Sequence, residues 1–75
     1  MKADKTLDVR AFMCPMPIIK TKKAIEQMEP GQVLEILASD PGAKEDFPAW
    51  CKQTGHELME VIEEGDVIKI YIRKK

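Results

Sequence analysis

Cysteine and histidine are scarce in this sequence. It contains two cysteines, Cys14 and Cys51, and a single histidine, His56. Two cysteines are too few for the disulfide framework of a small secreted domain, and nothing in the sequence requires them to pair. The first residues lack the apolar core of a signal peptide, and no apolar run is long enough to span a membrane. We therefore expect a cytoplasmic protein whose thiols stay reduced.

An excess of charge of one sign is also missing. Twelve basic and thirteen acidic side chains leave a net charge of -1, which argues against a protein that binds nucleic acid through bulk attraction to phosphate. The chain has 75 residues, of which 44% are hydrophobic and 33% charged. This composition is typical of one folded domain, which we expect to span residues 1–75.

The first half of the chain changes from a strand pattern to a helix pattern and back. Thr6–Arg10 alternates polar and apolar side chains, which predicts a half-buried strand. A helix is predicted over Pro17–Met28 and ends at Pro30 and Gly31. Gln32–Ser39 carries apolar side chains on both faces, which is typical of an interior strand. The predicted inner face of the helix, at helical spacing, consists of Ile18, Thr21, Ala24, Ile25 and Met28.

A second helix is predicted over Ala43–Thr54, with Asp40 in the preceding turn as a candidate N-cap and Gly55 as its end. Proline is tolerated only in a first turn, so Pro48 predicts that the regular helix begins no earlier than Asp46–Pro48. Its inner face is predicted to contain Phe47, Trp50, Cys51 and Thr54.

Two further strands, His56–Glu63 and Val67–Arg73, are joined by Glu64-Gly65-Asp66, which is typical of a hairpin connection. The resulting order is β-α-β-α-β-β. Strands connected through helices should run parallel, and the last pair should be antiparallel. We expect an α/β fold in which both helices cover one face of a four-stranded mixed sheet.

The segment from Met13 to Pro17 places a thiol where a strand ends and a helix begins. Pro15 and Pro17 mark the helix start, because proline suits the first turn and spoils the interior. Cys14 would then face the positive end of the helix dipole, which favours the thiolate. Since prolines have no N–H, an anion cradle here would have to use the N–H groups of Met16, Ile18 and Ile19. From these features alone, a nucleophilic cysteine and a small buried apolar residue are equally good interpretations.

Basic side chains surround this segment. Arg10, Lys20, Lys22 and Lys23 are candidate contacts for an anion or for an acidic partner surface, although a charge run is more often a solvated face.

Buried packing is the better interpretation of Cys51, with pairing to Cys14 left open. A structural role is the better interpretation of His56. Without a base beside Cys14, the sequence favours a thiol activated by electrostatics over a Cys-His hydrolase.

Several segments together resemble the TusA-like (SirA-like) sulfur-carrier family. They are Cys14-Pro15-Met16-Pro17 after Leu7-Asp8-Val9-Arg10, then Met28-Glu29-Pro30-Gly31, Asp40-Pro41, Phe47-Pro48-Ala49-Trp50-Cys51 and Gly55-His56-Glu57-Leu58. The C-P-x-P pattern alone is weak, but these segments in this order cover the chain from Leu7 to about Arg73. The resemblance implies a two-layer sandwich similar to the C-terminal domain of translation initiation factor three.

The resemblance also implies a sulfurtransferase. In that family the cysteine of C-P-x-P carries sulfur as a persulfide, so Cys14 would be the carrier residue and Pro15 and Pro17 its frame. Sulfur would come from a donor protein of the cysteine desulfurase or rhodanese type and pass to an acceptor protein. Family members serve tRNA thiolation, molybdenum-cofactor assembly, or thiosulfate and related sulfur metabolism. No cofactor beyond the covalent sulfur, no metal, no direct nucleic-acid contact and no membrane insertion are expected; docking to a membrane transporter is compatible with the sequence.

One pair of residues departs from the family pattern, since many members have Gly-Leu where this chain has Ala11-Phe12. If the family's glycine supplies a positive φ, Ala11 would be strained or the loop would differ.

Two rival functions remain at this stage. One is a Cu(I)-binding module that uses Met13, Cys14 and Met16, which lacks the second thiolate that two-coordinate copper carriers use. The other is a non-catalytic regulatory or interaction domain that uses the exposed face of the sheet.

Overall fold

Six elements of secondary structure follow one another in the computed structural model, which describes residues 2–13 and 15–75. They are β1 (Lys5–Asp8), α1 (Met16–Glu26), β2 (Val33–Ala38), α2 (Ala43–Thr54), β3 (Glu57–Glu64) and β4 (Val67–Arg73). The predicted β-α-β-α-β-β order is confirmed. None of the helices in this described part has the length and apolar character needed to cross a bilayer.

The four strands form one mixed sheet in the order β1-β2-β4-β3. β1 runs parallel to β2, with Leu7 opposite Ile36, and β4 pairs antiparallel with both β2 and β3. β2 is therefore an interior strand, as its apolar pattern predicted. The antiparallel pairing of the last two strands is likewise confirmed.

Both helices pack on the same face of this sheet. Alternate side chains of the two interior strands point into the core, and side chains of α1 and α2 cover them. The predicted two-layer arrangement is confirmed. The fully buried or nearly buried members from the strands are Leu34, Ile36, Ala38, Ile68, Ile70 and Ile72, and those from the helices are Ala24, Ile25, Ala43, Phe47 and Cys51.

The opposite face of the sheet carries a cluster of polar side chains around Glu35. Its carboxylate accepts hydrogen bonds from the hydroxyl groups of Tyr71 at 2.5 Å and Thr6 at 3.0 Å. These bonds favour the charged form, so the pKa of Glu35 lies below its usual value, while the carboxylate raises the pKa of Tyr71. On this face Val33, Glu35 and Leu37 of β2 are half-buried, so the apolar residues on both faces of β2 reflect its interior place in the sheet.

Helix α1 begins at Met16 and ends two residues before the predicted Met28. The N–H groups of Gln27 and Met28 donate to the carbonyls of Ala24 and Ile25, three residues back. This tighter turn is a frequent way for a helix to end, and it lies beyond what side-chain spacing can show. The inner face was largely predicted correctly: Thr21, Ala24, Ile25 and Met28 are buried.

Helix α2 has the predicted bounds, but two predictions about its start are wrong. Its N-cap is Gly42, and the Asp40 side chain instead accepts the Gly42 N–H at 3.0 Å. The Asp40 carbonyl also accepts the Ala43 N–H at 2.9 Å, so the first turn forms ahead of Pro48. Pro48 then lies inside the helix, where only the hydrogen bond to the carbonyl of Lys44 is lost.

Glycine ends α2 because the chain there needs a left-handed conformation. Gly55 has φ 87°, and its N–H donates to the carbonyl of Cys51 at 2.8 Å. A side chain at this position would also meet that of Lys75, whose Nζ lies 3.2 Å from the place of a β-carbon. Both the predicted helix end at Gly55 and the hairpin connection are confirmed, since Glu64 pairs with Val67 across a turn that contains Gly65.

Thr21 provides a test of the core. Its side chain lies on the inner face of α1 and is fully buried, and its hydroxyl has no hydrogen-bond partner among the described residues. Because an unsatisfied buried hydroxyl is costly, we expect Thr21→Val, which keeps the shape, to raise the free energy of unfolding by about 1 kcal/mol. Urea denaturation measures the change. Thr21→Ser, which keeps the hydroxyl and removes the methyl group, should lower stability by about 1 kcal/mol instead. A destabilised valine variant would show that the hydroxyl is satisfied.

Candidate functional site

The candidate site lies at the start of α1. Cys14 itself lies outside the described residues, but the residues on either side of it are described. Pro15 is the N-cap, and Met16 and Pro17 are the first two helical residues, so the helix begins within the predicted interval. The first turn contains no acidic residue, and no side chain caps the helix. The positive end of the α1 dipole is therefore not neutralised by a carboxylate of its own first turn.

The predicted anion cradle is not available as proposed. The N–H of Met16 donates to the carbonyl of Met13 at 2.9 Å, and the N–H of Ile19 donates to the carbonyl of Pro15 at 3.3 Å. Two of the three N–H groups assigned to the cradle are thus used by the backbone. The helix end can act on an anion through its dipole, but not through a ring of free N–H groups.

The loop before the motif is tied to the end of β2. The N–H of Val9 donates to the carbonyl of Leu37 at 2.8 Å, and the hydroxyl of Ser39 donates to the carbonyl of Arg10 at 2.6 Å. Phe12 packs against the core, and its N–H donates to the carbonyl of Val9 at 3.1 Å. These bonds position the residues that lead into Cys14. Ser39 was not predicted as part of the site, because no local pattern connects it with Arg10.

Ala11 lies in this loop without backbone strain. Among the described residues, positive φ values occur only at glycines. The departure from the family's Gly-Leu at Ala11-Phe12 therefore imposes no left-handed conformation on alanine.

Arg10 is paired within the protein. Its Nε donates to Oδ1 of Asp8 at 3.0 Å and its Nη2 to Oδ2 at 2.8 Å. These hydrogen bonds lower the pKa of Asp8 to about 2. Any contact of Arg10 with an anion would compete with this carboxylate. Its role as a partner contact stays a prediction.

The three lysines of the motif helix differ in their surroundings. The Nζ of Lys20 lies 4.4 Å from the centre of the Phe12 ring, in a cation–π contact. Lys22 and Lys23 are exposed. The ion pairs of the described residues involve Arg10, Lys44, Lys69 and Arg73, and no lysine of α1. All three α1 lysines can therefore act on an approaching molecule.

Three large apolar side chains are exposed in the described part of the chain, and all lie at the motif. Met13 is 76% exposed, Met16 40% and Ile19 41%. We call these three residues the motif patch. Exposed apolar groups that cluster at one place are typical of a surface that another molecule covers. Only the N–H of Ile19 was considered from the sequence; the exposure of its side chain was not predicted, although its spacing from Met16 sets it apart from the inner face of the helix.

Cys51 lies in the core, as predicted. Its side chain is 4% exposed, and burial raises the pKa of its thiol to about 11. The thiolate is the reactive form, so burial makes Cys51 less reactive at neutral pH than a free cysteine.

The raised pKa of Cys51 can be tested with Cys14→Ser, which leaves Cys51 as the single thiol. At pH 8 about one Cys51 in a thousand would be ionised, so iodoacetamide should leave the folded variant unmodified. In denaturant, mass spectrometry should show complete alkylation of the same thiol. Rapid labelling of the folded variant would contradict the burial of Cys51.

His56 has a structural role at the other end of the sheet. Its Nδ1 accepts the backbone N–H of Lys75 at 3.0 Å, and its ring centre lies 5.3 Å from that of Trp50. Burial and the charges of Lys74 and Lys75 lower its pKa. The residue after it, Glu57, pairs with the last residue of β4 at one end of the sheet. The motif follows the last residue of β1, at the other end of the sheet. His56 thus lies at the opposite end of the strands from the motif.

The lowered pKa of His56 makes stability depend on pH. The unfolded chain binds a proton at His56 near pH 6.5, whereas the folded protein binds it only at lower pH, so the free energy of unfolding should fall as the pH drops below 6.5. Denaturation curves at pH 7.5 and 5.5 should show a larger loss for the natural protein than for His56→Gln, whose side-chain oxygen can accept the Lys75 N–H. Equal losses in both proteins would assign the effect to other groups.

The fold and the motif together define a small two-layer α/β domain with a cysteine at a helix start. Comparison with known proteins identifies the class. The family model described as sulfurtransferase TusA matches residues 5–74. The chain therefore belongs to the TusA family.

Individual relatives agree with this assignment along the whole chain. YrkI from Bacillus subtilis is 53% identical over 74 residues, which cover 99% of each chain. The sulfur carrier protein TusA from Allochromatium vinosum is 48% identical over 71 residues, which cover 95% of this chain and 93% of that protein. A crystal structure of a SirA-like protein from Desulfitobacterium hafniense superimposes with a TM-score of 0.79 at 27% identity, covering 92% of this chain and 95% of that one.

Proposed function

We propose that this protein is a sulfurtransferase that carries sulfane sulfur as a persulfide on Cys14 and passes it to a partner protein. The observation that carries the proposal is the family match over residues 5–74, which includes the C-P-x-P motif. The described geometry supports it, because α1 begins at the motif and the motif patch is exposed there. A carrier thiol must meet two different proteins in turn, and such a surface suits that task.

The proposed transfer is an exchange between sulfur atoms. The Cys14 thiolate attacks the terminal sulfur of the donor persulfide, the S–S bond of the donor breaks, and the donor leaves as a thiolate. Cys14 then carries a persulfide anion, and a thiolate of the acceptor attacks its terminal sulfur in the same way. Each step forms one S–S bond and breaks another, so no oxidant or reductant is consumed. The carrier needs no cofactor beyond the covalent sulfur.

Electrostatics would favour the anionic forms in this exchange. A helix N-terminus without carboxylates and the nearby lysines of α1 stabilise negative charge. The single histidine lies at the other end of the sheet, where its Nδ1 already accepts a hydrogen bond. A shuttle activated by charge fits these surroundings better than a hydrolase with a general base.

The partners follow from the chemistry and from the family resemblance. A donor of the cysteine desulfurase or rhodanese type would load Cys14 in the cytoplasm, and an acceptor protein would receive the sulfur for tRNA thiolation, molybdenum-cofactor assembly or thiosulfate metabolism. Since both reacting groups belong to proteins, no direct contact with nucleic acid is needed.

Loading of Cys14 can be measured directly by intact-protein mass spectrometry. After incubation with a cysteine desulfurase and cysteine, the natural protein should gain about 32 Da, the mass of one sulfur atom. Reduction with dithiothreitol should reverse the gain, and peptide mapping should place it on Cys14. Cys14→Ser should gain nothing while keeping the circular dichroism spectrum of the natural protein.

Cys51→Ala is the matched control, because it removes the other thiol without adding a polar group to the core. It should load like the natural protein. Two results would overturn the proposal. One is a gain of sulfur by Cys14→Ser. The other is that neither the natural protein nor Cys51→Ala gains sulfur from the desulfurase or from small-molecule persulfides. A bound copper equivalent lost in Cys14→Ser would support the rival copper function.

A further inference from the structure

Helix α1 carries a stripe of side chains outside the core that begins at the motif. It consists of Met16, Ile19, Lys20 and Lys23, and each of them lies three or four residues from two of the others, which brings them to one side of the helix. Lys20 is half-buried and the other three are exposed. The end near Cys14 is apolar, because Met13 and Met16 are exposed there together with Ile19. The end far from Cys14 is cationic. Lys23 follows Met16 by seven positions, an axial rise of about 10 Å.

The cationic end is concave. A shallow depression between α1 and the edge strand β1 has an apolar floor and three polar side chains around it. No carboxylate lines it, and no ion pair of the described residues reaches its lysines. An anionic side chain that entered would lie beside the side chains of two lysines and one glutamine, above an apolar floor. The lining residues are Leu7, Lys20, Lys23, Ala24 and Gln27.

We infer that this stripe binds a partner segment with a particular order of side chains. The segment has an apolar residue beside its reacting cysteine and a carboxylate about 10 Å farther along, which enters the depression between Lys20 and Lys23. The inference rests on the proposed function and adds the chemistry by which this carrier selects its partners. Opposite charges at the rim of such a contact act mainly on the rate of encounter and on specificity.

An acidic protein segment fits this surface better than a nucleic acid does. A polyanion needs many cations in a row, whereas the stripe offers two lysines and then apolar side chains. The protein as a whole has a net charge of -1, so it offers a long polyanion no overall attraction. A single acidic side chain needs only the depression and its two lysines.

The test uses synthetic peptides that carry one persulfidated cysteine with a neighbouring leucine. One peptide has two glutamates about 10 Å from the cysteine, and its partner peptide has two lysines in the same places. Stopped-flow mixing followed by mass spectrometry gives the rate of sulfur transfer to the natural protein. The acidic peptide should load it about tenfold faster than the basic peptide at low salt, and this preference should shrink at high ionic strength.

Two sets of variants locate the effect. The double variant Lys20→Gln and Lys23→Gln should lose the preference for the acidic peptide. Lys52→Gln is the matched control for Lys23→Gln, because each lysine lies in the last turn of its helix, and it should keep the preference. Ile19→Ser should slow transfer from both peptides to the same degree, since it acts on the apolar contact with leucine.

A small donor without a charged side chain separates this inference from the proposed function. The persulfide of N-acetylcysteine amide measures the intrinsic reactivity of Cys14 in each variant, and the rates of both peptides are divided by its rate. If it loads the natural protein while the two peptides react equally fast, the inference is wrong and the sulfur-carrier function stands. A preference that survives in the double lysine variant would also overturn the inference. If Cys14 accepts sulfur from none of these donors, both proposals fail.

Discussion

The parallel pairing of β1 with β2 determines where the motif lies. β1 has only four residues, yet its partner is an interior strand, and the register places Asp8 opposite Leu37. The chain therefore leaves the sheet at a defined point, and the hydroxyl of Ser39 holds the carbonyl of Arg10 just beyond it. From there α1 must return across the sheet to allow β2 to follow in parallel. The start of that helix, and with it the cysteine motif, is a consequence of this pairing.

Helix α1 has two functions on its two sides. Its inner side buries Ala24 and Ile25 against the sheet, which stabilises the fold. Its outer side does not pack on the sheet and exposes Met16 and Ile19. This leaves apolar surface in water, which is unfavourable in free energy. Without a partner that covers them, these side chains add nothing to the stability of the fold. The exposed stripe is therefore best understood through the molecules that the carrier meets.

The two cysteines illustrate how position sets reactivity. Cys51 lies on α2 in the hydrophobic core, where burial raises the pKa of its thiol to about 11. Cys14 follows an anchored loop and precedes a helix start whose first turn has no acidic residue. The chain thus contains one thiol protected by packing and one placed by sequence at a cationic helix end. Under the proposed function this difference prevents sulfur from reaching the wrong cysteine.

Much of the fold was predictable because its signals are local. Prolines marked the start of α1, Gly55 ended α2 through a positive φ, and the turn around Gly65 predicted the final hairpin. These residues act through their own backbone preferences, which any chain with this sequence would share. The predictions that failed concern positions where a neighbour decides. Pro48 did not delay α2, because Asp40 had already formed the first turn through its own hydrogen bonds.

By itself, the sequence determined the order of the elements, the inner faces of the helices and the place of the C-P-x-P motif in the chain. Only the tertiary structure decided which apolar side chains stay in water and that Ser39 anchors the loop before the motif. The physical reason is that exposure and partner choice depend on residues distant in sequence. Ser39 and Arg10 are 29 positions apart, and no periodicity within one segment contains that information.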